Sequence, residues 1–235
     1  MKHNGSIMRL YIDSALSEDW EKWAKRGVLY GATTNPLIFK NQGVDLNKKT
    51  VFRLIDNAKE LDLTCLQLQV HGLRQPHDAA KQMARFFDRW QDGVVAKVPL
   101  TAEGLAVLPM LPKDMPVTLT AAYDARQAVL AASNGARYIA PYYGRIKESG
   151  QDADQIVDAM MKITRGNPRV LLASLRSAEQ VLSLATRGHD TFTLAPAVFD
   201  ALMDVPQTQQ ATAEFEAAAA MLRKDASGKG GFFKP

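Results

Sequence analysis

Eight short apolar segments alternate with eight longer amphipathic ones along the 235 residues, with no break in composition. This alternation predicts an α/β fold, a single (β/α)8 TIM barrel with one additional C-terminal helix. A doubly wound open sheet is the competing arrangement. It is disfavoured because no Gly-x-Gly-x-x-Gly turn follows the first strand.

Strands are expected over 9–13, 28–33, 64–71, 94–99, 117–121, 138–142, 169–174 and 191–194. Helical patterns fill 17–25, 46–61, 76–90, 102–110, 125–134, 152–164, 178–185 and 197–203. Asp124 and Ser177 are start signals, and Gly135 and Gly188 are stop signals. A ninth helix, 207–223, carries an alanine-rich stretch after Phe215 and falls outside the repeats. It needs a surface to pack on, its own barrel or a neighbouring subunit. The organisation is thus a catalytic barrel over 8–206, a helix over 207–223 and a flexible Gly/Lys tail over 224–235.

Composition excludes several classes. At 46% hydrophobic and 23% charged residues the chain is of ordinary soluble type. No apolar run approaches the ~20 residues that span a bilayer, and residues 1–8 lack a signal peptide's apolar core. One cysteine, Cys65, excludes an internal disulfide framework and points to a reducing compartment, or simple indifference to one; a cytoplasmic setting is the expectation. The net charge of +4 suits an anionic substrate and is not the basic stripe of a nucleic-acid binder.

Lys97 is the only charge in Gly93-Val94-Val95-Ala96-Lys97-Val98-Pro99-Leu100, which otherwise reads as a buried strand. Alternation puts Val95, Lys97 and Pro99 on one face. A buried ammonium is costly unless paired or neutral. The neutral amine is the form that attacks a carbonyl to make a Schiff base. On this run alone, a lysine snorkelling from a strand end is the simpler account. The other strand ends reverse that.

In a barrel, chemistry sits on inward positions at the C-terminal ends of strands. Parity points Asp13 inward on the first strand, and Gln67, Gln69 and His71 inward on the third. Thr118 and Thr120 share a face of the fifth, and Tyr142 shares that of Ala140 on the sixth. On the seventh, Leu171, Ala173 and Leu175 are expected outward, leaving Ser174 and Arg176 on the other side. Each residue also has a structural reading: Asp13 as a helix cap, Thr33, Thr34 and Asn35 as turn residues. Their recurrence at one depth favours a shared pocket.

The chemistry follows from these groups. Lys97 forms a carbinolamine and then an imine with a ketone, and the imine drives cleavage of the adjacent carbon–carbon bond. Tyr142, Gln69 and Thr120 suit proton transfer through a positioned water. Asp13, Thr33 and Asn35 can hold substrate hydroxyls, and Asp13 can orient the ammonium. Arg145, Ser174 and Arg176 offer donors to a phosphate. No metal or other cofactor is implied, because the imine does a Lewis acid's work. His71-x5-His77 reads as a solvent-facing pair. Trp20 and Trp23 read as core or interface, and Met160-Met161 as packing.

These pieces resemble the small transaldolase-like class I aldolases, the group holding fructose-6-phosphate aldolase and short-form transaldolase. The matching motifs are Ile12-Asp13-Ser14-Ala15, Gly31-Ala32-Thr33-Thr34-Asn35-Pro36, Ala96-Lys97-Val98-Pro99-Leu100-Thr101-Ala102-Glu103-Gly104-Leu105, Thr118-Leu119-Thr120-Ala121, the run from Gly135 to Arg145, and Ala173-Ser174-Leu175-Arg176. The resemblance implies Lys97 as the Schiff-base residue and Arg145, Ser174 and Arg176 as the anion site. Gln69 and Tyr142 stand where short-form transaldolases carry glutamate and phenylalanine, as in the fructose-6-phosphate aldolases. Departures are Ser14 for threonine, Leu37 for serine, and His71 where the aldolases are apolar. At the mouth His71 would tune substrate preference or carry a proton.

The resemblance therefore implies an aldolase interconverting fructose 6-phosphate with dihydroxyacetone and glyceraldehyde 3-phosphate. The alternative is a transaldolase moving the dihydroxyacetone unit between sugar phosphates or related anionic ketoses. A non-enzymatic sugar-phosphate-binding barrel is remote, since a pure binder has no use for a buried lysine nucleophile. The expected partner is a small-molecule sugar phosphate, with neither nucleic acid nor membrane. Family resemblance implies a homo-oligomer, pentamer or decamer.

Overall fold

The computed structural model describes residues 8–225, so the expected tail lies outside it from residue 226 onward. The chain runs β1 (Arg9–Asp13), α1 (Ser17–Ala24), β2 (Gly31–Thr33), α2 (Pro36–Asn41), α3 (Lys48–Glu60), β3 (Cys65–Gln69), α4 (Pro76–Arg89) and β4 (Val94–Pro99). It continues with α5 (Ala102–Leu105), a 3-10 turn (Leu108–Met110), β5 (Val117–Ala122), α6 (Arg126–Asn134), β6 (Tyr138–Pro141), α7 (Tyr143–Glu148) and α8 (Ala153–Thr164). Last come β7 (Arg169–Val170), α9 (Ala178–Thr186), β8 (Thr191–Leu194), α10 (Pro196–Met203) and α11 (Pro206–Asp225).

All eight strands are parallel, in the order β7-β6-β5-β4-β3-β2-β1-β8. The seam closes just beyond β7. The Leu172 N–H donates to the Thr191 carbonyl at 2.9 Å, and the Thr193 N–H donates to the Leu172 carbonyl at 2.9 Å. A (β/α)8 barrel results, as the alternation predicted.

Strand β4 shows how the sequence produces the layers. Val94, Ala96 and Val98 are fully buried, as expected for a strand covered on both faces. Val95 points inward and packs in the interior with Tyr11, Tyr30, Cys65, Tyr138, Ala140 and Leu171. Tyr11 donates to the Tyr138 hydroxyl at 2.9 Å, so these rings bury without stranding their polar tips. Val95 and Leu171 each contribute about 1.5–3 kcal/mol by burial. Bulky side chains thus fill this level, and the next inward positions on β1, β3 and β4 are the polar Asp13, Gln67 and Lys97.

Three departures have local causes. Leu171, expected on the helix side, joins the interior cluster. The seventh strand is regular only over Arg169–Val170, and Ser174 has a left-handed φ of 63°, so simple alternation does not hold along it. The helix expected over 102–110 breaks into α5 and a 3-10 turn, where Pro109 lacks the N–H a continuous helix needs. Helices α2 and α7, six residues each, are too short to show a period.

The eight strands belong to one compact unit ending at Phe199, in which Trp20, Trp23 and Met160 are buried. The second unit begins at Asp200 and contains α11, close to the helix expected over 207–223. No helix among the described residues is long and apolar enough to cross a membrane.

Candidate active site

Lys97 sits on β4 between Gln69 of β3 and Thr118 of β5 in the strand register. It is 3% exposed, and its Nζ donates to the Thr34 carbonyl at 3.2 Å. That carbonyl, at the end of β2, is a partner the sequence did not single out. No described carboxylate lies within ion-pair distance of Lys97. Asp13 acts on it through space instead.

Asp13 ends β1 beside Thr33, its register partner on β2. The Thr33 hydroxyl lies 2.5 Å from Asp13 Oδ1 as donor and 2.5 Å from the Thr193 hydroxyl of β8. Burial pushes the Asp13 carboxyl above its ordinary value, against the Lys97 charge and the Thr33 hydrogen bond, which both pull it down. Asp13 does not cap α1, whose N-cap is Leu16 without a side-chain bond. Ser14 works locally: its hydroxyl accepts from the Leu16 N–H at 3.1 Å and donates to Asp19 at 2.6 Å. Thr193 was missed, although the alternation of Thr191-Phe192-Thr193-Leu194 places it inward.

Thr120 of β5 donates to the Tyr142 hydroxyl at 3.3 Å. The strand is bulged between Thr120 and Ala122, with Ala121 left-handed at φ 58°. Bulges re-aim side chains beside sites. The Tyr142 ring lies 5.8 Å from that of Tyr123 and 5.1 Å from the Arg145 guanidinium. Gln69 makes one long hydrogen bond, Nε2 to the Val70 carbonyl at 3.4 Å. Gln67 accepts from Thr118 at 2.8 Å, and its buried Nε2 has no partner among the described residues.

Asn35 serves α2 as its N-cap. Its Oδ1 accepts from the Leu37 and Ile38 N–H groups, both at 3.0 Å. This fixes the amide so that the two Nδ2 donors are the atoms free for a ligand.

At the anion positions, the Gly144 N–H donates to the Ser174 carbonyl at 3.1 Å. A Cβ on Gly144 would meet that carbonyl at 2.0 Å, so the tie requires glycine. The Ser174 hydroxyl is buried without a partner among the described residues. Arg145 rests on Tyr142, whereas Arg176 is exposed and paired with Glu148 at 3.2 Å, and the Glu148 charge also acts on Arg145.

His71 departs from expectation. It lies beyond the end of β3, where strand parity stops applying, and lines two spaces on the helix side. One is a cavity of about 20 Å3 shared with Asn35, Gln69, Phe39 and Phe86. His77 is exposed.

The family model for transaldolase/fructose-6-phosphate aldolase matches residues 10–229. The chain belongs to that family. A probable transaldolase of Nitrosopumilus maritimus is 32% identical over 208 residues, covering 86% of this chain and 90% of the relative. A probable transaldolase of Clostridium tetani is 30% identical over 214 residues, covering 88% and 96%. Among solved structures, a citrate synthase is similar in fold, with a TM-score of 0.53 at 14% identity over 94% of this chain and 96% of that one. A mandelate oxidase mutant gives a TM-score of 0.57 at 16% identity over 78% and 60%. The protein is an enzyme of the transaldolase family of class I aldolases.

Proposed function

We propose that this family member is a Schiff-base aldolase interconverting fructose 6-phosphate with dihydroxyacetone and glyceraldehyde 3-phosphate. The observation that carries the reading is the Thr120–Tyr142 hydroxyl pair, from β5 and the residue after β6, with the buried Lys97 on β4 and an amide, Gln69, as the register neighbour of Lys97 on β3. In this reading Lys97 Nζ adds through its lone pair to the C2 carbonyl, and loss of water gives the iminium. Asp13, whose raised pKa suits it to carry a proton, takes the C4 hydroxyl proton. The C3–C4 bond breaks, its electrons flow into the iminium to form an enamine, and the aldehyde leaves. Tyr142, directly or through water, protonates the enamine carbon, and hydrolysis then frees dihydroxyacetone and Lys97.

The other site residues have supporting roles in this proposal. Asn35 Nδ2 and Thr33 meet substrate hydroxyls. Arg145, Arg176 and the unpartnered Ser174 hydroxyl hold the phosphate. We also propose a cytoplasmic homo-oligomer that takes a small-molecule sugar phosphate. Its barrel covers 8–206 and its interface helix 207–223. Phe215, Met221 and Leu222, all exposed on α11, support an interface with a second copy.

The names of the relatives favour a second reading, transaldolase. One experiment separates the two. Incubation with fructose 6-phosphate alone should release free dihydroxyacetone. Turnover only when erythrose 4-phosphate is added would replace the aldolase reading with the transaldolase one.

A further inference from the structure

We propose that the groove between α3 and α4 is a second anion site that takes a phosphorylated small molecule of sugar-phosphate size. The groove holds about 400 Å3, within the range of small-ligand sites. One wall is a single face of α4, where Gln82 and Arg85 follow Asp78 at helical spacing after the N-cap Gln75. The other wall is Lys48, the first residue of α3, together with His71. Buried Phe86 and Ala79 lie between them.

The charge of this groove is uncompensated. Lys48, Lys81 and Arg85 face one carboxylate, Asp78, and none of the three has an ion pair among the described residues. Lys48 instead lies 5.1 Å from the Phe52 ring. Arg89, one turn beyond Arg85 and outside the groove, is paired with Asp56 at 2.5 Å. Helix α3 opens with Lys48 and Lys49 and has no acidic residue in its first turn, so these charges oppose the helix dipole. A bound anion relieves both costs. Gln75 and Gln82 add amides, and His71 a ring nitrogen, all hydrogen-bonding groups suited to hydroxyls. Phosphate oxygens with neighbouring hydroxyls are the chemistry that satisfies this set.

His71 also lines the 20 Å3 cavity that reaches Asn35 and Gln69. A ligand in the groove therefore sits one side chain away from the candidate active site. This gives His71, unabsorbed by the Schiff-base reading, a place at the joint between the two.

The test uses the full-length chain carrying Lys97→Met, Arg145→Ala, Ser174→Ala and Arg176→Ala, so that neither imine formation nor the other proposed phosphate contacts enter. Calorimetric titration compares glucose 6-phosphate, inorganic phosphate and glucose. Glucose 6-phosphate should bind, inorganic phosphate more weakly, and glucose not at all. Adding Lys81→Glu and Arg85→Glu should weaken glucose 6-phosphate binding by roughly tenfold or more, the loss expected for charge-assisted contacts. Lys59→Glu with Lys162→Glu, exposed lysines that do not line the groove, should leave it unchanged. Three results overturn the site: no binding of either phosphate at tens of millimolar, equal weakening by the control reversals, or inorganic phosphate binding as tightly as the sugar phosphate.

Discussion

Tyr142→Phe removes one oxygen and keeps the ring against Tyr123 and Arg145. The structural cost is small. The lost hydrogen bond is neutral and long, 3.3 Å to Thr120, worth about 0.5–1.5 kcal/mol. Thr120 is 1% exposed, but Tyr142 is only half-buried and water can replace the lost oxygen. A net loss near 1 kcal/mol should lower the melting midpoint by roughly 2–4 °C. The catalytic cost should be larger, because a positioned acid contributes about 10²–10⁴-fold, or roughly 2.7–5.4 kcal/mol of barrier. Dihydroxyacetone release should fall by that factor, and transfer to erythrose 4-phosphate should gain relative to release as the enamine lives longer. The assay follows both products from fructose 6-phosphate, with a thermal melt alongside. Release at the wild-type rate in a folded Tyr142→Phe protein would refute the role given to this hydroxyl. Gln69→Glu added to Tyr142→Phe should favour transfer further, and not additively if both act on one water.

Borohydride with dihydroxyacetone should add a three-carbon mass to Lys97, and Lys97→Met should lose both label and turnover; mass spectrometry placing the label on another lysine would reject the nucleophile. Thr33→Val removes a hydrogen bond that lowers the Asp13 pKa, so the acid limb of the cleavage rate should move to higher pH. Because the folded Asp13 value already lies above that of a free carboxylate, the native chain binds more protons in that window. Stability there falls as pH rises, and Thr33→Val should extend the fall upward, as pH-dependent denaturant melts would show. Arg176→Ala should weaken phosphorylated substrates by roughly 10- to 150-fold and spare dihydroxyacetone; equal losses for unphosphorylated aldehydes would exclude a phosphate contact. Burial pushes the Cys65 thiol up to about 11, so native protein at pH 8 should resist iodoacetamide and react only once unfolded. Stability should also fall as pH rises from the ordinary thiol value toward 11.

Much of the barrel was legible because its rules are local. Val94 to Pro99 reads as a strand from composition and period two, and β1, β4 and β8 fall on their expected bounds. Inward parity alone placed Asp13, Lys97 and Thr120, because three-dimensional neighbours across parallel strands inherit each strand's alternation. Lys97 was conspicuous for the same reason, as one charge in an apolar run needs an explanation.

What lay beyond the sequence depends on backbone geometry or on distant partners. Leu171 turned inward and Ser174 went left-handed because strand seven is regular for only two residues, and no pattern in Arg169–Arg176 announces it. The Thr33–Thr193 contact spans 160 positions and exists only because closure brings β8 beside β1. Asn35 was legible as a turn residue, yet only the folded chain shows its oxygen spent on a cap and its nitrogen left over. His71 shared the parity of Gln69 on paper, but parity ends with the strand, and past β3 the chain carries it toward α3 and α4. Sequence by itself determined which residues face the barrel interior wherever hydrogen-bonded strands enforce alternation. Tertiary structure decided everything at the strand ends, where that constraint is gone and packing and closure set each side chain's direction.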